Sequence, residues 1–201
     1  MPDSNADNVT REAKIRDLLA QEVQDGESLA AEARSMVEFL LREKKGYASG
    51  DIRKGSAFEV ALDGEAAWSS VDFIVSLEGR IGMIIKCAAG SLDSRQRQAV
   101  AAARVITSPP VPVAVVADPV TAQVLDGASG RLIGEGFGAI PVRDRLQEIL
   151  AASVAEPLPP ARLEKEKRIL LAFDAIKCCV PQGADGGVRI GGSCDGEVSQ
   201  D

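Results

Sequence analysis

Asp72 and Lys86 are the side chains in this sequence whose types and spacing best suit chemistry. They lie in Val71 to Cys87, where two apolar-rich strands flank the turn Glu78-Gly79-Arg80. With a three-residue turn, Leu77 faces Ile81, Ile74 faces Ile84, and Asp72 faces Lys86 on one side of the hairpin. A two-residue turn would set Asp72 against Ile85 instead. A carboxylate and an ammonium on adjacent strand ends of an apolar hairpin are costly unless they pair or serve a function. The spacing by itself reads as a structural ion pair, or as an aspartate bonded to nearby backbone.

Composition limits what else the chain can do. Its 201 residues contain no histidine, which excludes Ser-His-Asp and Cys-His catalysis and every histidine-ligated metal or haem site. Acid–base or metal chemistry must then rest on carboxylates, lysines, cysteines or the backbone. A net charge of −7 argues against broad adhesion to nucleic acid or to anionic membranes, though not against a local basic groove. Cys87, Cys178, Cys179 and Cys194 form no CxxC pair, so neither a zinc site nor a redox motif is expected. The polar start Met1 to Asp7 is not a secretory signal, and no apolar run reaches the length of a membrane span. A soluble cytoplasmic protein is the expectation.

The elements that must position Asp72 and Lys86 follow from periodicity. Helices are predicted over Thr10–Gln24 and Ser28–Lys45, broken at Asp25-Gly26 and closed by Gly46. Strands follow around Phe58–Leu62, Val71–Leu77 and Ile81–Cys87. On the second of these, Val71, Phe73, Val75 and Leu77 share one face, with Asp72, Ile74 and Ser76 on the other. A helix spans Ser91–Ile106, and Val111–Ala117 reads as a central strand buried on both faces. Asp118-Pro119 reads as the cap of a short helix through Leu125, with an edge strand at Arg131–Ile133 and a helix over Val142–Ala152. After Pro157, Pro159 and Pro160, a charged helix covers Ala161–Cys178, with Arg162 and Glu164 to Arg168 on an exposed face. Trp68 is expected exposed or half-buried, and the glycines from Gly127 to Gly138 read as turns.

The predicted fold is α/β, a mixed sheet flanked by helices in the order α-β-β-β-α-β, with further helices at both ends. Residues 1–27 form a helical extension, 28–152 the main domain and 153–180 a linker and charged helix. Residues 181–201, rich in Gly and Asp, form a disordered tail.

Several stretches together, Val71 to Val75, Gly79-Arg80, Met83 to Cys87 and Gly90-Ser91, resemble the N-terminal domain of type I restriction enzyme R proteins. That domain belongs to the PD-(D/E)XK, restriction-endonuclease-like superfamily. The similarity continues through Ser94-Arg95, Ala102 to Arg104, Val115-Val116, Leu125-Asp126, Gly130 and Ile140-Pro141, covering about Ala30 to Leu150. The resemblance implies a Mg²⁺-dependent DNA endonuclease. Asp72 and Glu32 would ligate the metal, and Lys86 would orient the attacking water or steady the developing charge. Gln96 or Gln98 would match an organising glutamine, although the aromatic residue usual one turn later is missing. Arg80, Arg95 and Arg97, with Lys86 and Arg104, would supply a phosphate-facing patch, or else an ordinary solvated basic face.

The sequence departs from that pattern at Ile84, where the (D/E)xK half needs a carboxylate two residues before the lysine. Mg²⁺ requires several oxygen ligands, and Asp72 with Glu32 is a thin set. Glu59 or Glu78 are the acids that could substitute. The GxxxxGK[ST] loop of an ATP-driven motor does not occur, so neither ATP binding nor DNA translocation is expected. Two functions stand side by side: a nuclease with a degenerate site, or a non-catalytic module that keeps the fold to contact nucleic acid or a protein.

Overall fold

The computed structural model describes residues 4–153 and 156–178. The tail expected at 181–201, and with it Cys179 and Cys194, lies outside the described residues. The chain runs α1 (Ser4–Phe39), β1 (Ile52–Leu62), β2 (Glu65–Leu77), β3 (Arg80–Cys87), α2 (Asp93–Val105), β4 (Val113–Ala117), β5 (Ala122–Asp126), β6 (Leu132–Glu135), α3 (Arg143–Ala152) and α4 (Pro160–Cys178). The six strands form one sheet in sequence order. Every neighbouring pair is antiparallel except β3 and β4, which are parallel and joined through α2. An α/β fold with an open mixed sheet is thus what the periodicity predicted.

Two apolar layers sandwich the sheet. Val37 of α1, Leu41 just beyond it, and Leu146 and Leu150 of α3 pack with Phe73, Val75, Met83, Ile85, Val113 and Val115 on one face. On the other face, Ala99, Val100 and Ala103 of α2 and Leu170 of α4 pack with Ile74, Ile84, Ala114, Val116 and Leu125. β4 is buried throughout, because its residues feed both layers.

Four local expectations need correction. The break at Asp25-Gly26 does not occur, and α1 runs on through it. A glycine inside a helix costs only about 1 kcal/mol, and a side chain at Gly26 would sit 3.7 Å from the Ala89 Cβ. The boundary drawn between residues 27 and 28 therefore falls inside α1. After α1 the chain widens into a π-turn over Leu40–Lys44, and Gly46, at φ 76°, closes it as expected.

The helix expected after Asp118 is instead the strand β5. The Asp118 Oδ1 accepts hydrogen bonds from the Val120 and Thr121 N–H groups, a turn motif that uses the same side-chain chemistry as a helix cap. The charged run on α4 is not all exposed, since Glu166 is buried. Finally, Val71 packs with the α2/α4 layer while Phe73 and Val75 pack with α1 and α3. Strict alternation would keep all three on one face, so β2 breaks its alternation at Asp72. Beside it on β1, Gly55 takes φ 58° between Lys54 and Ser56, which pair with Phe73 and Val71.

A candidate site around Asp72 and Lys86

The hairpin reaches the expected register by an unexpected route. Its turn has two residues, Glu78 and Gly79, both at positive φ, so Leu77 pairs with Arg80. A bulge then inserts Gly82, because Ser76 pairs with Ile81 but Val75 pairs with Met83. From there Ile74 meets Ile84 and Phe73 meets Ile85. The pairing ends at Phe73 and Ile85; beyond it the Asp72 carboxylate accepts from the Cys87 N–H, and Lys86 reaches the Ser70 carbonyl. The bulge can only be glycine without repacking, since a Cβ at Gly82 would come within 3.0 Å of Leu150 and 3.1 Å of Leu146.

Asp72 is already occupied. Its Oδ1 accepts from Arg34 Nη1 at 3.4 Å and its Oδ2 from the Cys87 backbone N–H at 2.8 Å. Arg34 reaches it from α1, one residue beyond Ala33 on the buried stripe Ala30, Ala33, Val37. Lys86, buried on β3, donates from Nζ to the Ser70 carbonyl at 2.6 Å. Asp72, Arg34 and Lys86 all act on the Cys87 thiol. Burial pushes that thiol well above its usual range, Asp72 adds to the shift, and Arg34 and Lys86 oppose it.

The other expected site residues are divided. Glu32 is exposed on α1; standing two residues before Arg34, it projects to nearly the opposite side of the helix. Ile84 is fully buried beneath α2. Of the two substitute acids, Glu59 is exposed on β1, and Glu78 accepts from Gln147 Nε2 at the turn end of the hairpin. Among the described residues, no three His, Cys, Asp or Glu side chains group to hold a metal ion. With Asp72 paired to Arg34 and an isoleucine at position 84, a single carboxylate remains here, and such a donor set does not fit Mg²⁺.

The basic residues serve separate contacts. Arg80 donates to the Leu150 carbonyl. Arg95 is half-buried on α2. Arg97 and Arg104 turn to Glu166 of α4. Gln96 joins Asp93 and Gln123, and the buried Gln98 donates to Asp174 on α4. Sequence reasoning missed Arg34 and Glu166, the two partners that set the charge balance at these places. Arg34 could have been found from its position flanking the small-residue stripe of α1. Glu166, buried among exposed charges, left no comparable signal.

Comparison with protein-family models, with curated proteins and with solved structures finds no match for this chain. Among the described residues, no helix is long and apolar enough to cross a membrane.

Proposed function

We propose that this chain is a restriction-endonuclease-like domain, akin to the N-terminal domain of type I restriction R proteins, that acts as a binding module without hydrolysing DNA. The fold part of this reading is an analogy of element order. The run α1, β1, β2, β3, α2, β4 has the order that the resemblance implies, with the Asp72 and Lys86 strands adjacent. The observation that carries the loss of catalysis is the fully buried isoleucine at position 84, where a second acid would stand. Asp72 supplies one carboxylate, which already pairs with a guanidinium and a backbone N–H, and position 84 supplies none. A metal ion would have to displace the Arg34 cation, and Ile84 offers no second acid in exchange.

The binding role follows from what remains once hydrolysis is removed. The expected partner is nucleic acid, held through local basic side chains despite the acidic whole, and a protein partner is the other outcome. The test incubates the protein with supercoiled and linear DNA, with and without Mg²⁺ or Mn²⁺, and measures DNA binding over a range of salt. No metal-dependent nicking is expected, together with binding that weakens as salt rises. Metal-dependent cleavage abolished by Asp72→Ala would overturn the non-catalytic reading. Absence of both cleavage and DNA binding would move the partner to protein.

A further inference from the structure

A second cluster of charge lies in a corner formed by α2, α4 and the turn between β5 and β6. There a cavity of about 300 Å³ is lined by Arg97, Arg104 and Arg162, with Asp93, Ser129 and Gly130 on its walls. Arg104 is the fixed floor. It is buried, and its guanidinium donates to Glu166 Oε1 at 2.7 Å, to Gly127 O at 3.0 Å and to Ala128 O at 2.6 Å. The turn that offers those carbonyls is itself fixed, because a Cβ at Gly127 would lie 1.9 Å from the Val111 carbonyl oxygen.

The cluster is short of negative charge. Glu166 is the single carboxylate facing two arginines, with Oε2 at 2.7 Å from Arg97 Nη2 as a charge contact rather than an aligned hydrogen bond. Asp93 already accepts from Gln96 and Gln123. Among the lining residues three arginines meet one acid, Asp93, with Glu166 paired to Arg97 and Arg104 and Asp126 bonded to Ser129. Arg162 and Arg97 both act on Arg104 as like charges, adding to the lowering that its burial causes, while Glu166 opposes it. Arginine keeps its proton in proteins, so this crowding persists as repulsion that an anion would relieve.

Donors remain to hold such an anion. A guanidinium carries five N–H groups. Arg104 directs three hydrogen bonds into the protein, and Arg162 only a long one, 3.4 Å, to the Ala128 carbonyl. Guanidinium forks supplied by both α2 and α4 suit the several oxygens of a phosphate. The volume is at the small end for ligand cavities. We propose that this cavity binds the phosphate group of a small phosphomonoester. The site shares no lining residue with the Asp72–Lys86 edge and does not depend on the nuclease-like reading.

The test is calorimetric titration of the whole protein with inorganic phosphate and with glycerol 3-phosphate at constant ionic strength. Oligonucleotides with and without a 5′-phosphate form separate arms. Saturable binding of both small phosphates is expected below about 10 mM. Arg162→Gln removes only one long hydrogen bond from the fold and should weaken binding about tenfold or more. Arg145→Gln, on the exposed face of α3, should leave binding unchanged. Thermal unfolding of each variant checks that it is folded. No saturable heat with either small phosphate, equal affinity in Arg162→Gln, or binding confined to the 5′-phosphorylated oligonucleotide would each overturn the proposal.

Discussion

Asp72 and Glu166 are both carboxylates drawn against arginine, but their surroundings differ. Asp72 faces one arginine that is 40% exposed and shares its second oxygen with a backbone N–H. Glu166 is only 3% exposed and faces two arginines, one of them also buried. The first arrangement neutralises a part-buried acid within β2 through a partner that water still reaches, where an ion pair is worth about 1 kcal/mol. The second links α2 and α4 through a buried carboxylate and the buried Arg104, where removing one partner strands the other. The edge that resembles a catalytic site is therefore the looser of the two, and the corner that resembles none is the more tightly built.

The largest effect should come from closing off the comparison at Ile84. Ile84→Glu removes a core side chain, at a cost of about 2–5 kcal/mol, and buries a carboxyl group besides. Urea unfolding should show a barely folded protein, with no recovery in Mn²⁺. Recovery in Mn²⁺ would mean that an acid at position 84 completes a metal site with Asp72, and that the edge is more open than its contacts indicate.

Glu166→Ala should cost about 3–5 kcal/mol, because it leaves Arg104 buried without a counter-charge. A loss below 1 kcal/mol would erase the contrast between the two regions. Asp72→Ala should cost less, about 1–2 kcal/mol, from a half-exposed ion pair and one orphaned N–H. Reversal of that order would make the edge, not the corner, the structural keystone.

The smallest effect is a slope. Because the folded protein holds the Cys87 thiol above its ordinary value of 9.0, this group's contribution is complete below pH 9 and is lost as pH rises above it. Stability should fall by a few tenths of a kcal/mol at pH 9, and by at most about 1.4 kcal/mol for each further pH unit. Tyr47, also raised by burial, adds to the fall from pH 10 upward. Cys87→Ala should flatten the first part of the curve. In Asp72→Ala the thiol loses the nearby carboxylate that raises it, so alkylation of Cys87, followed by peptide mapping, should quicken.

Much of this arrangement was legible beforehand. The apolar run at β4, the strands flanking Glu78-Gly79 and the Pro160-initiated helix each follow from local pattern, which local chain geometry enforces. The pairing of Ile74 with Ile84 follows in sequence from a three-residue turn, whereas the structure reaches it through a two-residue turn. A tight two-residue turn and a bulge at Gly82 offset each other, and alternation alone cannot distinguish the two routes. The strand after Asp118 looks like a helix in sequence because an aspartate that caps a helix and one that closes a turn both accept from nearby downstream N–H groups.

What the sequence determined by itself is the list of chemistries available without histidine and the alternation of helices and strands, since both depend on residue type and near neighbours. Which charges meet was decided only in three dimensions. Arg34 reaches Asp72 across 38 residues and Arg104 reaches Glu166 across 62. Such pairings depend on how far a helix continues and which way it faces. A glycine tolerated at position 26, or a bulge at Gly82, settles this through packing energies too small to read from composition.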